Sequence, residues 1–359
     1  MAKKLGIGII GCGGIANNKH LPALAKKEEV EIAAFCDIVT ERAAAAAKEY
    51  GAEGAIVTEN YRELLDMKNI DAVHVLTPNS SHSEITVAAL DAGKHVLCEK
   101  PMAKTYAEAK KMLEAANRSG KKLTIGYQGR YTPESLHLKK LCERGDLGEI
   151  YFAKAHAVRR RAVPTWGVFL DEEKQGGGPL IDIGTHALDL TLWMTDNYKP
   201  KSVVGNIYKK MSRNGDCGNS FGPWDPRDFT VEDSAFGFIT MENGATIILE
   251  SSWALNTLDE AEAVTTLCGT KAGADMRDGL RINGDDLGKL YVTKPVLRAG
   301  GVAYFTGAGM DPTDYEANVW VNAILHDGEV IVKPEQAIVV TQILEAIYES
   351  AKTGKQILL

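Results

Sequence analysis

Three residues in this chain have the chemistry to move a proton at a hydroxyl group. Two of them, Asp182 and His186, lie in the run Gly176-Gly177-Gly178-Pro179-Leu180-Ile181-Asp182-Ile183-Gly184-Thr185-His186-Ala187-Leu188-Asp189. If the run is helical from residue 182, positions 182, 186, 189 and 193 share one face, because side chains four apart are neighbours on a helix. Imidazole can take a hydroxyl proton near neutral pH, and a carboxylate can orient it or hold an adjacent hydroxyl. The same spacing also suits a capping aspartate and a hydrogen-bonded core histidine. The third residue is Lys100, in Cys98-Glu99-Lys100-Pro101-Met102. It follows a short apolar run, 95–98, that reads as a buried strand. Strand carboxyl ends face the ligand crevice in open parallel sheets, so an ammonium there can bond a substrate oxygen. A plain surface lysine at a strand end is the alternative.

A fourth segment supplies a place for a phosphate. Gly11-Cys12-Gly13-Gly14-Ile15-Ala16 fits G-x-G-x-x-A and lies between an apolar run (5–10) and a helical pattern (15–25). Gly11 permits the tight turn, Gly13 lets backbone approach a pyrophosphate, and Ala16 allows close packing of helix on strand; the phosphates sit at the positive helix end. The second strand, 30–37, ends in Asp37, where an acid bonds the adenosine ribose. A carboxylate there repels a 2′-phosphate, so the expected cofactor is NAD rather than NADP, and the uncharged Ile38 agrees. Arg42 is the nearby group that would favour the phosphate.

These residues need a scaffold, and the pattern around them supplies one. Runs 5–10, 30–37, 71–76, 95–98 and 123–126 read as strands, and 15–25, 40–50, 83–92 and 106–119 as helices, with Thr40 expected to cap the second of these helices. Such alternation predicts a doubly wound parallel sheet, a Rossmann domain. After Gly148 the pattern changes to longer strands at 150–159, 201–209, 234–241, 245–253 and 263–268, with Glu242-Asn243-Gly244 as a hairpin turn. This predicts a second α/β domain with an open, mostly antiparallel sheet carrying the helix around His186 on one face. Helices return at 314–327 and 334–353. The expected division is 1–126 for the dinucleotide-binding domain and 127–359 for the substrate-binding and oligomerisation domain, with the C-terminal helices packing back on the first. Residues 213–228, rich in Gly, Pro and Asn, read as a long loop of the kind that often carries function.

Composition sets the outer limits. A chain of 359 residues exceeds what one core usually supports. Its net charge of −7 argues against nucleic acid or an anionic membrane as partner. No apolar run approaches the ~20 residues that span a bilayer. The N-terminal apolar stretch runs straight into glycines rather than a cleavage site, and the six cysteines are scattered with no C-x-x-C pair; both point to the cytoplasm. The eight histidines show no metal-ligand spacing, so no metal is expected.

Taken together, the glycine loop, Thr77-Pro78-Asn79 with His82, Glu99-Lys100-Pro101, the D-x-G-x-H from Asp182 to His186 and the hairpin at 231–253 resemble the glucose–fructose oxidoreductase / inositol dehydrogenase / rhizopine-catabolism (Gfo/Idh/MocA) family over nearly the whole chain. The resemblance implies that Lys100, Asp182 and His186 form the catalytic set and that a cis bond precedes Pro101. It also implies homodimers or homotetramers built through the outer sheet face. Gly11, Gly13, Gly14, Ile15, Ala16, Asp37, Arg42, Thr77, Pro78, Asn79, His82, Glu99 and Lys100 would face the cofactor. Arg130 matches a position that is often basic near the cleft, and Trp166 has a face suited to stacking on sugar C–H groups; with Lys100, Asp182 and His186 they are the candidate substrate contacts.

The implied activity is hydride transfer between a ring secondary hydroxyl of a sugar, glycoside or inositol and the nicotinamide. His186 would act as base, Lys100 would bond the reacting oxygen and Asp182 would fix a neighbouring hydroxyl. Two competitors differ in class: a redox-assisted glycosidase or lyase working through a transient 3-keto sugar, and a non-catalytic sugar or dinucleotide sensor. The sensor ranks last, because such relatives tend to lose the lysine or histidine that this chain keeps.

Overall fold

A computed structural model describes residues 4–297 and 311–359. They form two compact units. The first comprises the chain up to Tyr131 and the described residues from 311 to Ile338; the second comprises Thr132 to residue 297 and Val339–Leu359. The last of the boundaries between them, after Ile338, falls inside a single helix, Pro334–Thr353.

In the first unit, six parallel strands form one sheet: β1 (Leu5–Ile10), β2 (Val30–Cys36), β3 (Ile56–Thr58), β4 (Ala72–Val75), β5 (His95–Cys98) and β6 (Leu123–Ile125), in the order β3-β2-β1-β4-β5-β6. The central strand β1 is buried throughout, which explains its unbroken apolar sequence. Ile7 and Ile9 pack with Phe35, Leu21, Leu24 and Val321, while Ala72 and Leu97 pack with Trp320. The late helix Pro312–Leu325 therefore belongs to this core. The segment after it is tied in by Lys122 Nζ to Asp327, and by the Thr124 hydroxyl donating to the Val332 carbonyl at 3.0 Å. The short strand β3 and the helix Tyr61–Leu65 were not expected from the sequence; each is too brief to show a period. Thr40 does not cap its helix. It is the first helical residue, the cap position is Val39, and Asp37 Oδ1 accepts from the Val39 amide at 2.9 Å.

In the second unit, nine strands form one sheet: β7 (Ile150–Val158), β8 (Pro200–Tyr208), β9 (Ser234–Met241), β10 (Thr246–Ser252), β11 (Ala261–Gly269), β12 (Ala272–Asp275), β13 (Arg281–Asp286), β14 (Lys289–Thr293) and β15 (Ile357–Leu358). Their order is β14-β13-β12-β11-β7-β10-β9-β8-β15, antiparallel at every pairing except β7 with β10. The expected hairpin is present, with Gly244 at φ +86°. The helix Thr185–Thr195 packs against β7 and β11, and the Thr191 hydroxyl meets that of Thr265 at 2.8 Å. Strands β12 to β15 escaped the sequence reading because they are short or lack apolar alternation; β14 is exposed along its whole length. Among the described residues, no helix is long and apolar enough to cross a membrane.

Candidate active site

In the first unit the candidate cofactor residues follow the carboxyl ends of four adjacent strands. The glycine loop follows β1, Asp37 follows β2, Thr77-Pro78-Asn79 follows β4, and Glu99-Lys100 follows β5. The strand order reverses between β1 and β4, which is where open α/β sheets bind ligands. Gly11 has φ +95°, and a Cβ there would lie 2.6 Å from the Leu76 carbonyl oxygen, so the fold itself demands glycine. Gly13 differs. A Cβ on Gly13 would meet nothing within 4 Å, and one on Gly14 only Asn18 Nδ2 at 3.8 Å. No described protein atom accounts for Gly13, whereas a pyrophosphate lying on bare backbone would. The turn that follows is a π-helix, Ala16–His20, leading into the α-helix Leu21–Ala25. Amides at the start of a helix have no partner within it, which suits an anion. The residues present therefore fit a dinucleotide.

Asp37 is buried, and its two oxygens are both engaged. Oδ2 accepts from the Cys12 amide at 2.8 Å, and Oδ1 from the Val39 amide. The carboxylate thus braces the glycine loop as well as standing where the ribose should be. Arg42 is exposed on the following helix. We expect Asp37→Ala to lower kcat/KM for NAD+ by roughly 10–100-fold, as for loss of a charge-assisted hydrogen bond, and to narrow its preference over NADP+. Paired steady-state measurements with the two cofactors check this; a wild-type preference for NADP+ would overturn the assignment.

Three residues expected at the ligand are turned inward. Glu99 Oε1 accepts from Lys19 Nζ and is bonded to His20 Nε2, both at 2.9 Å, and its Oε2 accepts from the Lys100 amide at 3.1 Å. Burial works against the Glu99 carboxylate, but the charges of Lys19 and His20 outweigh it and hold the carboxyl well below its usual range. Lys19 also pairs with Glu316 at 2.9 Å. Burial opposes its ammonium, and Glu316 and Glu99 together more than compensate, raising it. His82 is fully buried with Nδ1 2.8 Å from the Pro101 carbonyl and Nε2 2.9 Å from the Thr77 carbonyl. Both carbonyls favour the protonated ring, but burial dominates and lowers its pKa. It links the loop after β4 to the loop after β5. Arg130 is fully buried, with Nη1 donating to the Ile331 carbonyl at 3.0 Å and to Gln336 Oε1 at 2.6 Å. It anchors the late segment of this unit and is not a surface arginine. The Lys100–Pro101 peptide is cis, and Lys100 itself is only partly buried.

In the second unit, Asp182 lies on a π-helix, Leu180–Gly184, that runs into the α-helix Thr185–Thr195. The sequence pointed to an α-helix from residue 182. The difference has a local cause. The Ser251 hydroxyl donates to the Pro179 carbonyl at 2.7 Å, and Glu232 takes the Gly178 amide at 2.8 Å and the Leu180 amide at 3.1 Å. A side chain inserted into the backbone ladder shifts it, and π turns concentrate at functional sites. Asp182 is buried, and its Oδ2 accepts from the Trp253 indole N–H at 3.0 Å. From Leu180 to Met194 every residue is buried except His186, which is half-buried. The helix therefore presents one imidazole, with a pinned carboxylate one turn before it.

Sequence reasoning missed two supports of this segment. Trp253 carried no signal beyond its place at a strand end. Glu232 reads as one acid among many, yet it is almost fully buried, and besides the two amides it accepts from the Tyr348 hydroxyl at 3.0 Å. The approach is close: a Cβ on Gly177 would lie 2.0 Å from Tyr348 Oη, and one on Gly178 2.1 Å from the Glu232 carbonyl oxygen. Burial pushes the Glu232 carboxyl up to about 7, against the pull of the amide donors. A raised carboxyl means that the folded state holds the proton more tightly than the unfolded one. Its favourable contribution is full below the ordinary carboxylate range and is lost as pH rises through about 7. Between those limits the loss amounts to about 3 kcal/mol. Unfolding free energies measured at about pH 4.5 and about pH 8.5 should therefore fall more in the wild type than in Glu232→Gln. Equal pH dependence in the two proteins would rule the shift out.

Comparison with known proteins agrees with this layout. Residues 5–127 match an oxidoreductase family with an NAD-binding Rossmann fold (GFO_IDH_MocA), and residues 135–275 match the GFO/IDH/MocA C-terminal domain. The D-glucoside 3-dehydrogenase of Escherichia coli K12 is 36% identical over 353 residues, covering 98% of this chain and 97% of that protein. An inositol 2-dehydrogenase of Salmonella typhimurium is 32% identical over 199 residues, 55% of this chain and 56% of that protein. Among solved structures, an aldose–aldose oxidoreductase from Caulobacter crescentus superposes with a TM-score of 0.80 at 26% identity, covering 99% of this chain and all (100%) of that one.

Proposed function

Because the chain belongs to the Gfo/Idh/MocA oxidoreductase family, we propose that it is an NAD-dependent sugar dehydrogenase that oxidises a ring secondary hydroxyl of a glucoside, with C3 as the reacting carbon. The observation that carries the reading is the half-buried His186 on an otherwise buried helix, one turn after a carboxylate pinned by the Trp253 indole. Whole-length similarity to a D-glucoside 3-dehydrogenase supports the substrate class.

The glycine loop and Asp37 would hold NAD+, which when bound would supply the acceptor for the carbinol hydride. His186 accepts the hydroxyl proton at a ring nitrogen. The Lys100 ammonium donates to the same oxygen and stabilises the charge that develops there, as a preorganised donor does. Asp182 holds a neighbouring hydroxyl and so fixes which carbon reacts. Glu99 and His82 act one step back, holding the Lys100 amide and the Pro101 carbonyl.

Two finer points belong to the same reading. The six free cysteines support a reducing, cytoplasmic setting. Exposed Val204 and Phe238, paired across β8 and β9, support a homo-oligomer formed through the outer sheet face. The direct test is an NAD+ reduction screen over glycosides, free hexoses, inositols and open-chain polyols, with the keto product identified by mass spectrometry. A 3-keto glucoside with matching NADH is the expected result. NADH formation with none of these compounds would overturn the function.

A further inference from the structure

Among the described residues, the largest exposed aromatic side chain on the second unit is Trp166, which is 52% exposed, and beside it Phe221 is 44% exposed. Their rings meet edge to face with centroids 4.8 Å apart. They come from two different segments, 161–166 and 219–222, which are laced together. The Val163 amide donates to Asn219 Oδ1 at 2.8 Å, and Asn219 Nδ2 donates to the Val163 carbonyl at 3.0 Å and to the Gly222 carbonyl at 2.7 Å. The Thr165 hydroxyl donates to the Phe221 carbonyl at 2.5 Å, and the Ser220 amide and hydroxyl both reach the Arg161 carbonyl. Two large apolar rings are thus held in water on a built support, so little ordering cost is left for a ligand to meet.

The pair is also continuous with the candidate active site. Trp166 contacts Phe169 at 5.7 Å between centroids, Phe169 contacts Trp253 at 6.3 Å, and the Trp253 indole holds Asp182. A row of rings leads from the surface to the carboxylate. We propose that Trp166 and Phe221 form an aglycone subsite: a platform for a flat, uncharged aromatic group carried on the glycosidic oxygen of the substrate. This rests on the glucoside reading above and narrows it to aryl glucosides. A second sugar ring fits less well. The Thr165 and Ser220 hydroxyls and the Asn219 amide already donate to backbone carbonyls, so they have no hydrogen left to offer its hydroxyls.

Steady-state oxidation of methyl and phenyl glucosides of the same anomer tests the proposal, using wild type, Trp166→Ala, Phe221→Ala and Trp166→Phe. In the wild type KM should be roughly 5–20-fold lower for the phenyl compound, the size expected from two aromatic contacts. That ratio should shrink toward one in either alanine variant and be largely kept in Trp166→Phe, with the change carried by KM, because the aglycone is remote from the reacting carbon. Methyl glucoside oxidised with no phenyl advantage would overturn the platform and leave the dehydrogenase standing. An equal gain from a glucosyl disaccharide would also overturn it, by reassigning the rings to a sugar. Oxidation of neither compound would remove the glucoside reading, and this proposal with it. Sedimentation of the alanine variants completes the set: an unchanged oligomeric state is expected, and dissociation would mean that the rings belong to a subunit contact.

Discussion

Replacing Lys100 with methionine is expected to lower kcat by about 10²–10⁴ while leaving the affinity for NADH within about 2-fold of wild type, as for loss of a preorganised donor to the reacting oxygen. The prediction is sharp because the loop does not depend on the lysine side chain for its shape. Its amide is held by Glu99 Oε2, and the next carbonyl is held by the His82 ring. Methionine keeps the length of the stem and deletes only the ammonium. Turnover by rapid mixing and NADH binding by fluorescence give the two numbers separately. Near-normal turnover would remove Lys100 from the chemistry, and a large loss of NADH binding would recast it as a cofactor residue.

His186→Asn should cost a comparable 10²–10⁴ and also change the pH profile. Only neutral imidazole accepts a proton, so oxidation by the wild type should rise with pH along a limb set by one group. The variant should lose that limb. Asparagine fits the position, since the surrounding helix is held by the burial of every other residue from Leu180 to Met194. The profile is best followed on kcat/KM, with substrate deuterated at the reacting carbon to verify that hydride transfer is being observed. A limb that survives in His186→Asn would assign the titration to another group. Because His186 and Lys100 are proposed to serve one oxygen, their titrations can couple, and the Lys100→Met profile supplies the third side of the comparison.

The parallel sheet was legible because its strands are buried on both faces and its helices are long enough to show a period; β1 and the helix Tyr106–Ser119, closed by Gly120 at φ +64°, are clear cases. The glycine loop was legible because backbone geometry allows few alternatives at Gly11. The site was readable as residue types but not as partners. Glu99, His82 and Arg130 carry polar groups that suit a ligand, and only three-dimensional packing shows that interior carbonyls, amides and charges already engage them. The π turn at Asp182 was hidden for the same reason. It depends on Ser251 and Glu232, both far along the chain from it.

The Lys19–Glu316 pair has a consequence for the order in which this protein is made. A nascent chain that has emerged only through Tyr131 has all six parallel strands and the glycine loop. It still lacks Glu316, one of the two carboxylates that pair with the buried Lys19 ammonium, and Trp320, which covers Ala72 and Leu97. Domains that are continuous in sequence can finish folding while the ribosome is still translating later domains. Here the first unit stays incomplete until residues 312–325 have been made, and β15 pairs with the edge of the other sheet later still. A chain cut short anywhere before residue 311 would therefore carry a half-built nucleotide fold with an uncovered apolar face.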